Sequence, residues 1–305
     1  QTLTYSISGG ADAAKFTIDV NTGVLSFSTA PDYETPTDAG ANNIYDVIVQ
    51  VSDGVLTDTQ AIAVTVTPVN DNAPVITSNG GGASAAISVA ENATLVTTVA
   101  ATDADMPGQT LTYSISGGAD AAKFTIDANT GVLSFLTAPD YEVPTDAGAD
   151  NVYDVIVQVS DGSLTDTQAI SVTVTPVNDN APAITSNGGG ASATISVAEN
   201  AAAVTTVTAT DADLPAQTLT YSISGGADAA MFSINASTGA LSFLAAPDHE
   251  APTDANADNI YDVVVQVSDG SLTDTQAIAV TVTPVNDNAP VITSDGGGAS
   301  AAVNV

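Results

Sequence analysis

The heptapeptide PVNDNAP occupies residues 68–74 and returns letter for letter at 176–182 and 284–290. It carries a proline at each end and two asparagines around a central aspartate. By itself this composition is typical of an Asx-type turn that ends a strand. Because the same letters recur at a constant spacing of 108 residues, the stretch indicates a joint between repeated units.

A second motif, QTLTYSISGGADA, confirms the period, since it begins at Gln1, Gln109 and Gln217. Between residues 1–74 and 109–182, 67 of 74 positions are identical. The repeat predicts the following domains: 1–72, truncated at its N-terminus; 73–180; 181–288; and 289–305, the start of a fourth repeat. We interpret the chain as a segment of a longer protein.

Within a repeat, apolar and polar residues alternate, most clearly at 3–7, 45–51 and 62–66. Alternation with β-branched residues indicates half-buried strands. NTG at 21–23 and SNGGG at 78–82 mark turns, and no long stretch has helical periodicity. We therefore predict an all-β fold of tandem Greek-key β-sandwiches, about seven strands each, arranged as a linear rod.

The charge balance excludes several partners. The chain has 35 acidic residues, two lysines and no arginine, giving a formal net charge of −33. Nucleic acid and anionic membrane surfaces would be repelled. No apolar run is long enough to span a bilayer, so we expect no direct membrane insertion in this segment. The expected counterions of this acidic chain are metal cations or salt. Cysteine is absent, which excludes disulfides and thiolate metal sites.

Glutamate is confined to repeated motifs. Only five glutamates occur: Glu34, Glu142 and Glu250 end PDYE or PDHE, and Glu91 and Glu199 lie in VAEN. An acidic surface that served only for solubility would not restrict glutamate in this way. The confinement therefore favours a specific use of these side chains.

Aspartates recur in the same manner. ATDAD and VSDG supply the following positions: Asp103, Asp105, Asp211, Asp213, Asp53, Asp161 and Asp269. Several loops that offer hard oxygen donors, without histidine or cysteine, favour Ca²⁺. For a single VSDG the plain turn interpretation is the stronger one, and for PTDAG, with Asp38, Asp146 and Asp254, we expect a solvated loop.

The order of these motifs resembles a cadherin domain over essentially the whole chain. VAEN, ATDAD, FTIDANTGVLSFLTAPDYE at 124–142, VQVSDG and VNDNAP follow each other with the spacing of that family. The near-identical copies and the SNGGG and PTDAGADN insertions resemble the cadherin-like repeats of large bacterial surface proteins. The resemblance implies calcium ions between successive domains, bound by the end of one, the linker and the start of the next.

The resemblance also implies a ligand set for each linker. For the linker between the second and third repeats it is Glu91, Asp140, Glu142, Asn178 through its backbone oxygen, Asp179, Asn180, Asp211, Asp213 and Asp269. For the linker near residue 72 it is Asp32, Glu34, Asn70, Asp71, Asn72, Asp103, Asp105 and Asp161. For the last linker it is Glu199, Asp248, Glu250, Asn286, Asp287 and Asn288, with weak occupancy expected. Asp179 and Asp213 are expected to bridge ions, and a carbonyl near Ala216 is a further candidate.

One position departs from the family pattern. The linker usually carries an aspartate two residues before its first asparagine, and here that position holds Pro68, Pro176 or Pro284. Each linker therefore offers one carboxylate fewer, and the number of ions per linker stays open between two and three. The proline itself stiffens the linker.

These expectations favour a calcium-stiffened spacer or stalk at the cell surface, as in a bacterial adhesin, whose partners are calcium ions and the adjacent repeats. The alternative is that the repeats themselves adhere, through homophilic or glycan contacts. An enzyme is disfavoured: a carboxylate pair such as Asp140 and Glu142 could suggest a glycosidase, but it lies in a repeated loop and no cleft is indicated. No catalytic triad or phosphate-binding loop is present.

Overall fold

The computed structural model describes residues 1–294 and residue 300. The chain divides into two compact units, Gln1–Thr175 and Pro176–Val305, here called the first unit and the second unit. The repeat bounds given above stay predictions. Most of the predicted start of the fourth repeat, residues 295–299 and 301–305, lies outside the described residues.

The first repeat contributes five strands to the first unit. They are β1 (Thr4–Gly9), β2 (Phe16–Ile18), β3 (Leu25–Phe27), β4 (Ile44–Ser52) and β5 (Thr57–Thr65). Strands β1, β4 and β5 form a three-stranded antiparallel sheet in that order, and β2 pairs with β3. The alternating stretch at 45–51 thus matches β4 to within a residue at each end, while those at 3–7 and 62–66 overlap β1 and the second half of β5.

The second repeat completes the first unit. Its strands are β6 (Val75–Ile76), β7 (Ser84–Ala90), β8 (Leu95–Thr98), β9 (Ala101–Thr102), β10 (Thr112–Gly117), β11 (Phe124–Ile126), β12 (Val132–Phe135), β13 (Val152–Ser160) and β14 (Thr165–Thr175). One sheet has the order β10-β13-β14-β7 and the other β11-β12-β8, while β6 pairs with β9. Only the β14–β7 pair in the larger sheet is parallel.

The second unit repeats this arrangement. Its strands are β15 (Ala183–Ile184), β16 (Ser192–Ala198), β17 (Ala203–Thr206), β18 (Ala209–Thr210), β19 (Thr220–Gly225), β20 (Phe232–Ile234), β21 (Ala240–Phe243), β22 (Ile260–Ser268) and β23 (Thr273–Thr283). The sheets are β16-β23-β22-β19 and β17-β21-β20, with β15 paired to β18. A sheet of four plus a sheet of three confirms the prediction of an all-β sandwich with about seven strands.

The core follows from the period-two pattern. In β13, Tyr153, Val155, Val157 and Val159 are buried, and the residues between them point away from the core. Each repeat adds a cluster of three aromatic rings at one end of the sandwich. In the second repeat, Phe124 stacks on Phe135 with their ring centroids 4.6 Å apart. Tyr153 packs edge-on against Phe135, with a centroid distance of 5.2 Å.

Helical structure is limited to short 3₁₀ turns in the described residues, such as Ala13–Lys15 and Ala121–Lys123. Across the part of the chain that the structure describes, no helix has the length and apolar character needed to cross a bilayer.

The expectation of a solvated PTDAG loop is wrong. Asp38, Asp146 and Asp254 are buried, with 6%, 7% and 6% of their surface exposed. Asp146 accepts backbone N–H groups from Asp150 at 3.0 Å and Asn151 at 3.1 Å. Its burial raises its pKa, but these hydrogen bonds outweigh that effect and hold the pKa below the usual value. The loop is therefore folded onto its own carboxylate.

Candidate metal centres

Two groups of carboxylates meet at the linker near residue 72, inside the first unit. Glu34, Asp71 and Asp105 each place a carboxylate oxygen within 4.8 Å of the others. Asp103, Asp105 and Asp161 form a second group at the same limit. Asp105, only 2% exposed, belongs to both groups. One buried carboxylate thus joins two acidic clusters.

Strand ends bring these residues together. Asp103 directly follows β9, and Asp161 directly follows β13. Strand β6 begins just after the linker and pairs with β9, with Val75 opposite Thr102. The linker therefore arrives beside the ATDAD loop. From the preceding repeat, Glu34 accepts the backbone N–H of Met106 at 3.2 Å, which ties the first repeat to the same loop.

Asparagine side chains orient the central carboxylates. Asn72 Nδ2 donates to Asp105 Oδ1 at 2.8 Å and to Asp71 Oδ1 at 3.1 Å. The side chain of Asn70 is hydrogen-bonded to Asp161. The two asparagines of PVNDNAP thus hold one aspartate from each of two different loops.

The second unit contains the matching group Asp211, Asp213 and Asp269, again within 4.8 Å. Asn180 Nδ2 donates to Asp213 Oδ1 at 2.8 Å and to Asp179 Oδ1 at 2.9 Å. Asn178, predicted as a ligand through its backbone oxygen, is hydrogen-bonded to Asp269 through its side chain. The linker and the ATDAD loop therefore meet in the same way in both units.

Several of these carboxylates are held ionised. Backbone N–H groups of Leu164 and Ser163 lower the pKa of Asp161, and Asn70 adds to the effect. Burial raises the pKa of Asp213, but the hydrogen bonds from Asn180 outweigh it, so that this pKa also lies below its usual value. Ionised carboxylates this close repel one another, and a cation in the cluster would remove that repulsion.

The clusters also contain buried carboxylate oxygens that accept no hydrogen bond from the described residues. Asp103 Oδ2 and Asp211 Oδ2 are buried and have no hydrogen-bond partner within residues 1–294 and 300. They occupy the same repeat position in the two units. Buried polar atoms normally have partners, and a donor set made only of carboxylate and amide oxygens suits a hard cation such as Ca²⁺. The residues present therefore fit that ion.

The first-unit ligands predicted for the second linker share one loop region. Glu91, directly after β7, is 3% exposed, and its Oε2 accepts the backbone N–H of Tyr141 at 2.7 Å. Asp140 Oδ1 accepts the N–H groups of Glu142 and Val143, both at 3.0 Å. The remaining predicted ligands of that linker, from Asn178 onward, lie in the second unit.

At the last linker the structure brings together Glu199, Asp248 and Glu250. Backbone N–H groups of Val285, at 2.6 Å, and His249, at 2.7 Å, lower the pKa of Glu199. Of the linker residues, Asp287 accepts Asn200 Nδ2 at 2.7 Å, and Asn288 Nδ2 donates to Glu250 at 3.2 Å. The acids of this linker are thus gathered around residues 285–288.

Some predicted ligands lie outside the close carboxylate groups. Among the described side chains, Asp32, Asp140 and Asp287 belong to none of them. Asp32 and Asp140 each accept N–H groups of their own turn. Asn286 is also outside these groups, because they are defined by carboxylate oxygens and asparagine carries an amide. A polar side chain beside the second-unit group that was not predicted from the sequence is Gln217, whose Nε2 donates to Asp213 Oδ2 at 3.4 Å. Its signal in the sequence is its position four residues after the second aspartate of ATDAD, which Gln109 shares.

Comparison with protein families identifies the repeats. The cadherin domain model matches residues 85–175 and 193–283. The chain belongs to the cadherin family. The two matches end at the last residues of β14 and β23. The acidic groups at the linkers therefore lie at the borders of cadherin domains.

Similar proteins are large animal cadherins. Human Protocadherin Fat 1 is 32% identical over 306 residues, covering 96% of this chain and 6% of the relative. Mouse Cadherin EGF LAG seven-pass G-type receptor 2 is 33% identical over 302 residues, covering 95% of this chain and 10% of the relative. The chain thus spans a tenth or less of the length of these relatives. Among solved structures, the Protocadherin gammaB7 EC3-6 cis-dimer has a TM-score of 0.61 and 26% identity over 92% of this chain and 66% of that chain.

Family membership establishes a coarse function. These are cadherin repeats of the kind found in extracellular, adhesion-related ectodomains, a family that in general has no enzymatic activity. Cadherin domains bind Ca²⁺ at the linkers between repeats.

Proposed function

We propose that this chain is a calcium-stiffened spacer of a cell-surface or secreted adhesion protein. The observation that carries the proposal is Asp105, a buried carboxylate shared by two acidic groups that draw residues from both sides of a linker. A cation there would be bound by the first repeat, the linker and the second repeat at once. Such a joint would lose its freedom to bend when the ion binds.

The ligand sets listed in the sequence analysis and the repeat bounds 1–72, 73–180, 181–288 and 289–305 are part of this proposal. What supports them is the reuse of one arrangement, Asn72 with Asp105 and Asn180 with Asp213, in two separate units. When bound, calcium would supply positive charge and would accept oxygens from three segments of chain.

We also propose that the parent is a large bacterial adhesin. The support is in the sequence: 67 of 74 positions match between neighbouring copies, and lysine and arginine number only two. Copies this similar suit a spacer, in which every unit performs the same task. A transmembrane or secreted parent of animal type is the competing origin, and the similar proteins are of that type.

The calcium assignment is tested by a matched pair of variants. Asp161 and Asp53 occupy the same position of VSDG and accept the same turn N–H groups, but only Asp161 belongs to an acidic group. Calorimetry on chelator-treated protein should show calcium binding at about 10⁻⁴ to 10⁻³ M, the range of extracellular modules. Asp161→Asn should weaken binding and Asp53→Asn should not. Absence of binding by the unchanged chain would overturn the proposal.

The stiffening is tested by small-angle X-ray scattering with calcium and then with chelator. We expect the maximum dimension to be well defined with calcium and the profile to become that of a flexible chain with chelator. Asp53→Asn should show the full change, whereas Asp161→Asn should need more calcium to reach the stiff profile. Identical profiles in both conditions would contradict a stiffening role.

The alternative, adhesion by the repeats themselves, draws support from the similar Protocadherin gammaB7 structure, which is a cis-dimer. Sedimentation of this chain over a range of concentrations, with calcium, would show self-association if its repeats also bind one another. A glycan array probed with the same protein tests the second adhesive mode. A monomer that binds no glycan supports the spacer.

A further inference from the structure

A cavity recurs beside the aromatic cluster of each repeat. In the second repeat its volume is about 480 Å³, which is in the size range of small-molecule sites. The first and third repeats have cavities of about 450 and 230 Å³ at the same repeat position. Each is lined by one phenylalanine and one tyrosine of the cluster: Phe27 and Tyr45, Phe135 and Tyr153, or Phe243 and Tyr261.

The same hydrogen bonds frame the three cavities. In the second repeat, the Leu136 N–H donates to the Lys123 carbonyl at 2.8 Å, and the Thr145 N–H donates to the Tyr153 hydroxyl at 3.1 Å. The counterpart bonds are 2.8 and 3.2 Å long in the first repeat, and 2.8 and 3.1 Å long in the third. The cavity is therefore a constant feature of the repeat fold and not a gap in one copy.

The two lysines of the chain, Lys15 and Lys123, both line this cavity, in the first and second repeats. Although the chain has 35 acidic residues, neither lysine forms an ion pair with any described residue. Asp140 lines the second-repeat cavity too, but its Oδ1 accepts the N–H groups of its own turn, and no pair within 4 Å joins it to Lys123. Each cavity thus combines an ammonium group that lacks a carboxylate partner with aromatic rings.

The copies differ at the exposed rim of the cavity, while the aromatic rings stay the same. The first repeat has Ser28 and Thr35 where the second has Leu136 and Val143, and these are two of the seven differences between the aligned copies. The third repeat has Met231 in place of the lysine. The second repeat therefore has both the ammonium group and the more apolar rim, the first has the ammonium group with a polar rim, and the third lacks the charge.

We propose that the cavity of the second repeat binds a small organic monocarboxylate with a compact apolar body, and that the first repeat binds the same class more weakly. The Lys123 ammonium group donates to the carboxylate, a charge-assisted hydrogen bond, while the apolar body packs on Phe135 and Tyr153. One lysine offsets one negative charge, and the net charge of −33 disfavours anions of higher charge, such as phosphate. The site uses none of the proposed calcium ligands.

The binding test is an NMR titration with phenylacetate, and phenylacetamide serves as the uncharged analogue of nearly the same shape. The chain has two lysines and two methionines, so that selective labelling gives separate signals for the three cavities (Lys15, Lys123 and Met231) and for Met106 outside them. We expect phenylacetate to shift the Lys123 signal saturably at about 1 mM, since so small a ligand binds weakly. The Lys15 signal should need more ligand, Met231 should barely respond, and phenylacetamide should bind Lys123 about tenfold more weakly.

The variants use residues that the repeats already carry at this position. Lys123→Met should abolish saturable binding, read on the introduced methyl group, and should leave the Lys15 response unchanged. Met231→Lys should give the third repeat a response to phenylacetate but not to phenylacetamide. Combined Leu136→Ser and Val143→Thr should weaken binding at Lys123 to the level of Lys15.

All titrations are run at one fixed calcium concentration, so that calcium binding, and with it the proposed spacer function, is tested separately. The inference is overturned if phenylacetate and phenylacetamide bind Lys123 equally well, or if Lys123→Met binds as tightly as the unchanged chain. It is also overturned if the Lys123 signal shows no saturable shift.

Discussion

The first and second repeats differ at only seven of 74 aligned positions, yet their last strands have different surroundings. Val172 and Gln168 on β14 are fully buried, whereas their counterparts on β5 are partly buried (Val64) and exposed (Gln60). In the second repeat, β7 lies alongside β14. The sequence starts after the position that the counterpart of β7 would occupy in the first repeat, so that β5 has a partner on one side only in the described residues. The burial of this strand is therefore set by a segment about 85 residues earlier, and not by its own letters.

The aromatic end of the sandwich shows the opposite behaviour. In the first repeat, the ring centroids of Phe16 and Phe27 are 4.6 Å apart, and those of Tyr45 and Phe27 are 5.1 Å apart. The corresponding distances in the second repeat are 4.6 and 5.2 Å. These rings come from β2, β3 and β4 and their counterparts, which are near in sequence. The aromatic cluster of each repeat is thus built locally, whereas the burial of the last strand depends on the opening strand.

The largest expected contrast is at the isoleucine of the last strand. Ile170→Ala, at a position 1% exposed, should cost about 3 kcal/mol of local stability. Ile62→Ala, at the partly buried counterpart, should cost less than about half of that, because fewer contacts are lost. Hydrogen exchange of the strand amides, followed by mass spectrometry, measures both. Equal losses would show that β7 does not determine the burial.

The buried glutamine gives the next contrast. Gln168 Nε2 donates to the Gly82 carbonyl at 2.8 Å, and its Oε1 accepts Asn79 Nδ2 at 3.3 Å, which anchors the SNGGG loop. Gln168→Leu leaves these groups unpaired and should cost about 1–3 kcal/mol. Gln60→Leu should change stability by less than about 0.5 kcal/mol, since Gln60 is exposed. Denaturant unfolding of both variants checks the difference.

The aromatic end should respond alike in both repeats. Phe16→Leu and Phe124→Leu, at positions 6% and 4% exposed, each remove one stacked pair and should each cost about 1 kcal/mol. Hydrogen exchange of the backbone amides of β2 and β11, followed by mass spectrometry, measures both losses. A much larger loss in one repeat would mean that the rings are not a local unit.

The smallest effect concerns the turns at Asp19 and Asp127. Backbone N–H groups of Thr22 and Asn21, or Thr130 and Asn129, lower these pKa values. The stabilisation is complete above the ordinary aspartate pKa and is lost as the pH falls through the lowered value. Asp19→Asn and Asp127→Asn should each reduce, by equal amounts, the loss of folding stability on acidification below the ordinary aspartate pKa, as measured by denaturant unfolding over a series of pH values. The third repeat already has Asn235 there, accepting Ser237 and Thr238 N–H groups at 3.0 Å.

The strands and the acidic groups follow closely from the sequence. Alternation around Tyr45 and Tyr153 locates β4 and β13. The resemblance to cadherin domains places Asp71 and Asp105 in one ligand set; the structure brings their carboxylates within 4.8 Å, and the ligand set itself stays a prediction. Both features depend on a local pattern or on exact repetition, and both of these can be recognised in the amino-acid sequence alone.

Other features could not be predicted because they depend on distant backbone. Asp120 is buried because it accepts the N–H groups of Ala147 at 2.7 Å and Asp154 at 2.9 Å, which lie 27 and 34 residues away. A turn aspartate that faces inward has the same neighbours in sequence as one that faces outward. The parallel partner of β14 was hidden for a similar reason, since alternation reports a buried face and not which strand lies beside it.

The parallel pairing of β7 with β14 has a mechanical consequence. Seven consecutive register pairs join them, from Ser84 opposite Ala169 to Ala90 opposite Thr175. Because the strand near the start of the repeat and the strand at its end run in one direction, a pull on the two ends of the repeat drags these strands past each other lengthwise. The evenly spaced bonds of a parallel pair then share the load and must break together, rather than one at a time from an end. The second and third repeats, in which this parallel pair is present, are thereby arranged to resist tension along the chain.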